Sequence, residues 1–153
     1  MVQGGSSYFT YSTPHGPITI RATERGICEV AFSDAALPGV KRACESTNAA
    51  ATQIQEYLAG KRQSFDVPLD IQGSAFQKLV WGEVLSIPYG DTRTAAEVAA
   101  AIGKAGAHRS VGTAIRRNPL PILIPTHRVD LPNASGKKAK VFSALRTLES
   151  KHA

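Results

Sequence analysis

Cysteine is scarce in this chain and absent from most of its length. Both cysteines, Cys28 and Cys44, lie in the first third of the 153 residues, and two cysteines in a chain of this length do not make a disulfide framework. Cys28 lies in an alternating apolar stretch, which predicts a buried, small hydrophobic side chain. No cluster of His and Cys has the spacing of a zinc site, so we expect neither a metal nor any other cofactor.

Long apolar runs are also absent. No stretch of about 18 apolar residues occurs, so no membrane-spanning helix and no membrane partner are expected. A hydrophobic content of 42% and a charged content of 20% are typical of a globular protein. The length allows one domain, or two small domains that share a core.

Acidic residues are rare in the last third of the chain. The whole chain has 18 Lys and Arg against 12 Asp and Glu, a formal net charge of +6. In residues 101–153 the acids are Asp130 and Glu149, and the basic residues are Lys104, Arg109, Arg116, Arg117, Arg128, Lys137, Lys138, Lys140, Arg146 and Lys151. This excess permits binding to a phosphate backbone without proving it.

The first 70 residues alternate between strand and helix signals. Apolar alternation predicts strands over residues 8–12 and 18–22 and a third strand with Cys28, Val30 and Phe32 on one face. A helix is predicted over residues 48–59, with Gly60 as its end. Residues 65–69 are predicted to return as a strand.

The second half reads as helical. Apolar spacing predicts an amphipathic helix over residues 74–86, with Leu79 among its apolar positions. Thr94 and Glu97 form a capping box that starts a helix through Ile102. A further helix is predicted over residues 107–117, and a last one around Val141 and Leu145. Two short helices around a glycine-containing turn indicate either a DNA-binding helix-turn-helix or a plain helical hairpin.

Several short motifs follow one another through this half of the chain. They are Ile87-Pro88-Tyr89-Gly90, Arg109, Val111-Gly112, Asn118-Pro119 and Pro125-Thr126-His127-Arg128-Val129. With the turn Thr23-Glu24-Arg25-Gly26 near the start, their order and spacing resemble the O6-alkylguanine-DNA alkyltransferases. That family carries Pro-Cys-His-Arg-Val, and its cysteine takes the alkyl group from damaged guanine. Here Thr126 stands at the cysteine position.

The resemblance implies an α/β fold class in two parts. Residues 1–70 would form a small α/β domain of the ribonuclease H-like kind. Residues 71–153 would form a helical domain whose helix-turn-helix, of the winged-helix-like kind, binds DNA in the minor groove.

The resemblance also implies a catalytic set and a DNA-binding set of residues. In active members a glutamate orients a histidine, which takes a proton from the cysteine through water, and an asparagine lies beside them. The matching positions are Thr126, His127, Glu149 and Asn118. A purely structural hydrogen bond between His127 and Glu149 is the alternative. The positions expected to contact DNA are Thr94, Ala95, Ala107, Arg109, Gly112, Arg116 and Arg128.

Arg109 has the most specific implied role. It matches the arginine that replaces the flipped-out base in the stack, and base flipping exposes the lesion to a pocket. Ala107 and Gly112 would allow the helix to approach DNA closely. A solvated helix arginine is the alternative interpretation.

Three positions depart from the family pattern. Thr126 replaces the nucleophile, Ala95 replaces the tyrosine that presses on the DNA phosphate, and the pocket-wall segment over residues 130–138 is altered. An engineered point mutation would change only one of these, so we interpret Thr126 as natural.

Three functions remain open at this stage. The first is a non-enzymatic member, similar to the alkyltransferase-like proteins, that binds O6-alkylguanine and hands it to nucleotide excision repair proteins. The second is an active or mutated methylated-DNA–protein-cysteine methyltransferase. The third is a degenerate homologue that binds DNA without lesion preference or binds a protein. The resemblance implies double-stranded DNA as the partner, a monomer, and a location in the cytoplasm with the nucleoid, or in the nucleus.

Overall fold

The computed structural model describes residues 5–131 and 136–152, and the chain separates into two units, Met1–Gln72 and Gly73–Ala153. The boundary lies two residues beyond the one predicted. The first unit is built on a sheet and the second on helices, so the predicted α/β fold class is confirmed. Among the described residues no helix combines the length and apolar character needed to cross a bilayer.

The first unit is a four-stranded sheet with one helix against it. Its strands are β1 (Ser6–Thr13), β2 (Gly16–Thr23), β3 (Gly26–Ala31) and β4 (Val40–Lys41), followed by helix α1 (Glu45–Leu58). The strand order is β3-β2-β1-β4, with β4 parallel to β1 and the other pairs antiparallel.

The core of this unit lies between α1 and the central strands. Ile18 and Ile20 of β2 are buried against Ile54 and Tyr57 of α1. Thr19 is buried as well, although strict alternation would expose it. Its hydroxyl donates to the carbonyl of Ser33 at 2.6 Å, which satisfies the polar atom in the core.

Two predictions for this unit differ from the structure. The stretch predicted as a strand over residues 65–69 pairs at a single point, Ile27 with Leu69, because Pro68 has no backbone N–H to continue a ladder. Helix α1 begins three residues earlier than predicted, because the Thr47 hydroxyl accepts the backbone N–H of Cys44 at 2.9 Å and caps the helix end.

The second unit contains α2 (Ala75–Leu85), β5 (Arg93–Thr94), α3 (Ala95–Ala101), α4 (His108–Arg116), a 3-10 turn (Thr126–Arg128), β6 (Val129–Asp130) and α5 (Gly136–His152). The capping box predicted for Thr94 and Glu97 is confirmed, and the structure shows a second one at the start of α2. Ser74 and Gln77 bond reciprocally ahead of α2, and Thr94 and Glu97 do so ahead of α3.

In this unit α2 packs against α3 and α4, the two helices of the helix-turn-helix pair. The buried Trp81 of α2 donates its indole N–H to the carbonyl of Ala114 in α4 at 2.9 Å. Leu79, predicted among the apolar positions of α2, is 44% exposed instead. Short strands β5 and β6 pair in parallel, Arg93 with Val129, and thereby join the start of α3 to the segment that follows the 3-10 turn.

Candidate functional site

A buried strap from Asn118 to Thr126 forms one side of the candidate site. The Asn118 side chain holds both ends of this strap. Its Oδ1 accepts the backbone N–H of Leu120 at 2.9 Å, and its Nδ2 donates to the carbonyl of Ile124 at 3.0 Å. Ile122 adopts φ 75°, a left-handed conformation that is rare and costly for a β-branched residue. The Asn118 hydrogen bonds therefore hold the backbone of the strap in a conformation that it would not adopt on its own.

Thr126 lies at the end of the strap with its side chain 1% exposed. Asn118 Nδ2 donates to Thr126 Oγ1 at 3.1 Å. The structure thus brings two predicted site residues, Asn118 and Thr126, into direct contact. Thr126 also lines a cavity, and its burial shelters the side chain from bulk water.

His127 and Glu149 form the predicted buried pair. His127 Nε2 lies 2.6 Å from Glu149 Oε2, with side-chain exposures of 0% and 2%. Burial lowers the pKa of the His127 imidazole below its ordinary value, although the hydrogen bond to Glu149 opposes this shift. The ring is therefore neutral at pH 7. Because a carboxylate only accepts hydrogen bonds, we assign the ring proton to Nε2, which makes Nδ1 the basic nitrogen.

Arg128 does not lie on the surface where a DNA contact was expected. It is 7% exposed, and its Nε and Nη2 donate to Glu149 Oε1 and Oε2 at 2.8 and 2.9 Å. Its Nη1 donates to the carbonyl of Ile87 at 2.8 Å. This placement contradicts the expectation of a DNA-binding residue, because the guanidinium charge is neutralised by a bidentate ion pair with Glu149 inside the protein.

A cavity of about 340 Å³ opens beside Thr126, which is within the ~300–1,000 Å³ range typical of small-molecule sites. Its apolar wall consists of Ile115, Val129, Leu131, Ala139 and Phe142, and its charged residues are Arg116, Asp130, Lys138 and Arg146. The flanks of the altered segment over residues 130–138 therefore form part of the wall. Residues 132–135 of that segment lie outside the described residues.

The remaining predicted DNA-binding residues lie on or beside the helix-turn-helix pair. Thr94 caps α3 and is exposed, Ala95 is the first residue of α3, and Ala107 is the N-cap of α4. Arg109 and Arg116 are exposed on α4. Their arrangement gives α4 a cationic surface, which is the charge that phosphate contacts require.

Gly112 is buried on α4 rather than exposed. A Cβ built there would lie 3.5 Å from Arg116 Nη1 and 3.8 Å from Leu131 Cδ2, which is ordinary van der Waals contact. Packing within the protein therefore does not require glycine at this position.

Two contacts at the site were not predicted from the sequence. Gly90 donates its backbone N–H to Glu149 Oε1 at 3.1 Å, and Arg146 donates to the carbonyl of His127 at 3.1 Å. The i, i+4 series Val141, Leu145 and Glu149 could have indicated that Glu149 faces inward. No sequence signal shows that Lys138 and Arg146 lie at the cavity.

The chemistry open to this site depends on the hydroxyl of Thr126 and the neutral imidazole of the next residue, His127. A threonine hydroxyl is far less acidic than a thiol with its pKa of about 8.5, so almost none is ionised at pH 7. Such a hydroxyl can attack acyl or phosphoryl centres next to a base, but alkyl transfer needs a thiolate. Across the described residues no group of three or more His, Cys, Asp or Glu is placed to hold a metal ion.

Comparison with known families gives two matches that together span most of the chain. The family described as 6-O-methylguanine DNA methyltransferase, ribonuclease-like domain, matches residues 7–71. The family described as 6-O-methylguanine DNA methyltransferase, DNA binding domain, matches residues 75–149.

Individual relatives and solved structures agree with these matches. The methylated-DNA–protein-cysteine methyltransferase of Methanosarcina barkeri is 41% identical over 131 residues, 80% of each chain. The constitutive enzyme of that name from Bacillus subtilis is 36% identical over 155 residues, 93% of this chain and 94% of the relative. The Mycobacterium tuberculosis O6-methylguanine methyltransferase structure superposes with a TM-score of 0.88 at 32% identity, covering 97% and 94%. A structure of Mycobacterium tuberculosis OGT in complex with DNA gives 0.87 at 34% identity, covering 96% and 94%.

Proposed function

Because the chain belongs to the 6-O-methylguanine DNA methyltransferase family, we propose that it binds O6-alkylguanine in double-stranded DNA and holds the lesion without taking the alkyl group. One observation carries this proposal. Thr126, at the position where the resemblance puts the acceptor cysteine, contacts Asn118, and the next residue, His127, is hydrogen-bonded to Glu149. These contacts support a binding pocket of the family type with a hydroxyl in place of a thiol.

Transfer to Thr126 is opposed by its chemistry. Its hydroxyl stays protonated at pH 7, and its β-branch crowds the line of attack. No other acceptor is available in the same unit, because residues 73–153 contain no cysteine.

The mode of binding follows the helix-turn-helix geometry. Arg109 is exposed on α4, where it can enter the duplex and replace a flipped base in the stack. The flipped base would enter the cavity beside Thr126, whose apolar wall suits a base and a short alkyl group. Ala95 offers no aromatic ring to press on the DNA phosphate, so Arg109 carries more of the flipping role.

The partners and location are part of the same proposal. A protein that holds a lesion without repairing it requires a downstream repair system, and nucleotide excision repair proteins fit that role. We propose a monomer that acts wherever the DNA lies, with the nucleoid in the cytoplasm or in the nucleus.

A second candidate function is methyl transfer itself. The relatives reported above are named methyltransferases at up to 41% identity, and this naming favours transfer over passive binding. Intact-protein mass spectrometry after incubation with O6-methylguanine DNA separates the two functions. A gain of one methyl group by the wild-type chain would establish transfer and overturn passive binding.

Lesion preference is the test of the proposed function. Fluorescence anisotropy at physiological salt would compare matched duplexes that carry guanine or O6-methylguanine at one position. We expect at least a tenfold preference for the lesion, about 1.4 kcal/mol. Equal, salt-sensitive binding to both duplexes would contradict the proposal and indicate a degenerate DNA-binding homologue.

Replacing Arg109 tests the flipping role within the same assay. Arg109→Ala should abolish the lesion preference, because the flipped state loses the side chain that fills the stack. Arg117→Ala is the matched control, since it removes one exposed positive charge just beyond the end of α4. It should weaken binding to both duplexes alike. Equal loss on damaged and undamaged DNA for Arg109→Ala would count against flipping.

A further inference from the structure

The cavity beside Thr126 carries more positive charge than a neutral alkyl group requires. Arg116, Lys138 and Arg146 line it, and Asp130 is the single acid in the described lining. A methyl or ethyl group has no charge for three cations to bind. The charges therefore point to a ligand feature beyond the base and its alkyl carbon.

The ammonium group of Lys138 lies at the cavity wall. Its Nζ lies 5.6 Å from the ring centroid of Phe142 and donates to the carbonyl of Arg116 at 3.4 Å, and both of those residues line the cavity. Lys138 is half-buried, and this burial lowers the pKa of its ammonium group. An anion placed beside the ammonium group would offset the cost of removing its charge from water.

Arg146 is held at the same cavity by a backbone carbonyl. Its Nη1 donates to the carbonyl of His127 at 3.1 Å, which fixes the guanidinium next to the site. A guanidinium carries several N–H donors in a planar fork that matches a carboxylate. Lys138 and Arg146 lie eight residues apart on α5, so both cations are supplied by one helix.

On the basis of the proposed function, we infer that this cavity favours O6-substituents of guanine that end in a carboxylate over neutral substituents of the same size. The apolar wall takes the base and the methylene group. The carboxylate exchanges its hydration for charge-assisted hydrogen bonds, which are about twice as strong as neutral ones. Lys138 is the specificity-determining residue, because it is the partly desolvated cation at the wall.

The test uses four matched duplexes in the anisotropy assay. At one position they carry guanine, O6-methylguanine, O6-carboxymethylguanine, or its neutral amide O6-carbamoylmethylguanine. We expect the wild-type chain to bind the carboxymethyl duplex about tenfold more tightly than the amide duplex, the gain of one charge-assisted hydrogen bond. Equal affinity for these two duplexes would overturn the inference.

Two variants assign the effect to Lys138. Lys138→Gln should reduce the preference for carboxylate over amide to about twofold or less. Lys140→Gln removes an exposed lysine from the same helix outside the cavity lining, and it should keep the wild-type preference. The same ratio in both variants would show that general charge, and not the cavity, attracts the carboxylate, and would overturn the inference.

The remaining duplexes separate this inference from the proposed function. Preference for O6-methylguanine over guanine without any preference for carboxylate over amide would leave the proposed function standing and end the inference. Preference for the carboxymethyl duplex alone would support the inference and narrow the lesion range to anionic adducts. No preference for any lesion over guanine would overturn both.

Discussion

Thr126 stands where the family resemblance places the acceptor cysteine, and it is buried. Its hydroxyl accepts a hydrogen bond from Asn118 Nδ2 at 3.1 Å, and the residue lines the cavity. The neighbouring imidazole is neutral, with its basic nitrogen unprotonated. Under the proposed function, the residues that would surround an acceptor are present and the acceptor thiol is replaced by a hydroxyl.

Thr126→Cys should therefore convert the chain into a methyl acceptor. A thiol with a pKa of about 8.5 supplies some thiolate at pH 7, and the Asn118 donor would stabilise the anion further. Intact-protein mass spectrometry after incubation with O6-methylguanine DNA should show a gain of one methyl group. Thr126→Ser, which keeps a hydroxyl, should show none. An unmodified cysteine variant that still binds the lesion would refute the view that only the nucleophile is missing.

His127 gives the stability of the second unit a specific pH dependence. Burial lowers its pKa in the folded protein, so the unfolded chain binds a proton that the folded chain excludes. The free energy of unfolding should be level above about pH 7.5 and fall as pH drops below about 6.5, the unfolded value. The loss should reach at most ~1.4 kcal/mol per pH unit and end at the folded pKa.

Urea unfolding between pH 8 and 5.5 measures this slope. His127→Gln should flatten it, whatever the variant costs in stability at pH 8. His108→Gln removes an exposed histidine and should leave the slope as in wild type. Stability that stays level or rises as pH falls would exclude a buried neutral imidazole.

At the scale of elements, helix α5 is joined to the site by one carboxylate. Glu149 accepts hydrogen bonds from His127, Arg128 and the backbone of Gly90. These partners belong to the 3-10 turn and to the loop after α2, so a single buried side chain ties three segments together. The desolvation cost of a buried ion pair can cancel its electrostatic gain, so the main effect of this pair is to fix the relative positions of the three segments.

Glu149→Gln should destabilise the protein by about 3–5 kcal/mol, because it leaves the charge of Arg128 buried without its partner. Urea unfolding at pH 7.5 measures the loss. Asp91→Asn is the control, since the Asp91–Arg93 ion pair has a distance of 3.7 Å and side-chain exposures of 54% and 38%. Its loss should be under about 1 kcal/mol. Similar losses in the two variants would contradict a structural role for the Glu149 cluster.

At the scale of the whole molecule, charge is unevenly distributed along the chain. The net charge of +6 arises mainly from the last third, where α4 and α5 carry most of the basic residues. Under the proposed function, a flipped, neutral lesion would be read inside the cavity, whereas phosphates would be bound outside it. Affinity and lesion preference should therefore respond differently to salt.

Raising the salt concentration should weaken binding to damaged and undamaged duplexes with similar slopes of log affinity against log salt. The ratio of the two affinities for O6-methylguanine and guanine should change by less than about twofold. Arg117→Gln should reduce the slope by about 1 if Arg117 contacts a phosphate. Arg25→Gln, an exposed residue of the first unit, should not. A lesion preference that disappears with the affinity would indicate phosphate contacts in place of base readout.

The sequence by itself determined the local features of this protein. The capping pairs Ser74–Gln77 and Thr94–Glu97 act over three residues, so their side chains meet as soon as the helix forms. The order of the motifs and the threonine at position 126 are equally readable from the chain. Each depends on neighbours in sequence.

Tertiary structure decided what depends on distant neighbours. Arg128 was expected to contact DNA and is buried instead, because Glu149, 21 residues away, neutralises it. The cavity brings together residues from Ile115 to Arg146, and the predicted strand over residues 65–69 was reduced to one bridge to Ile27. Burial and charge pairing are properties of the packed chain, and no local pattern encodes which surface a side chain will face.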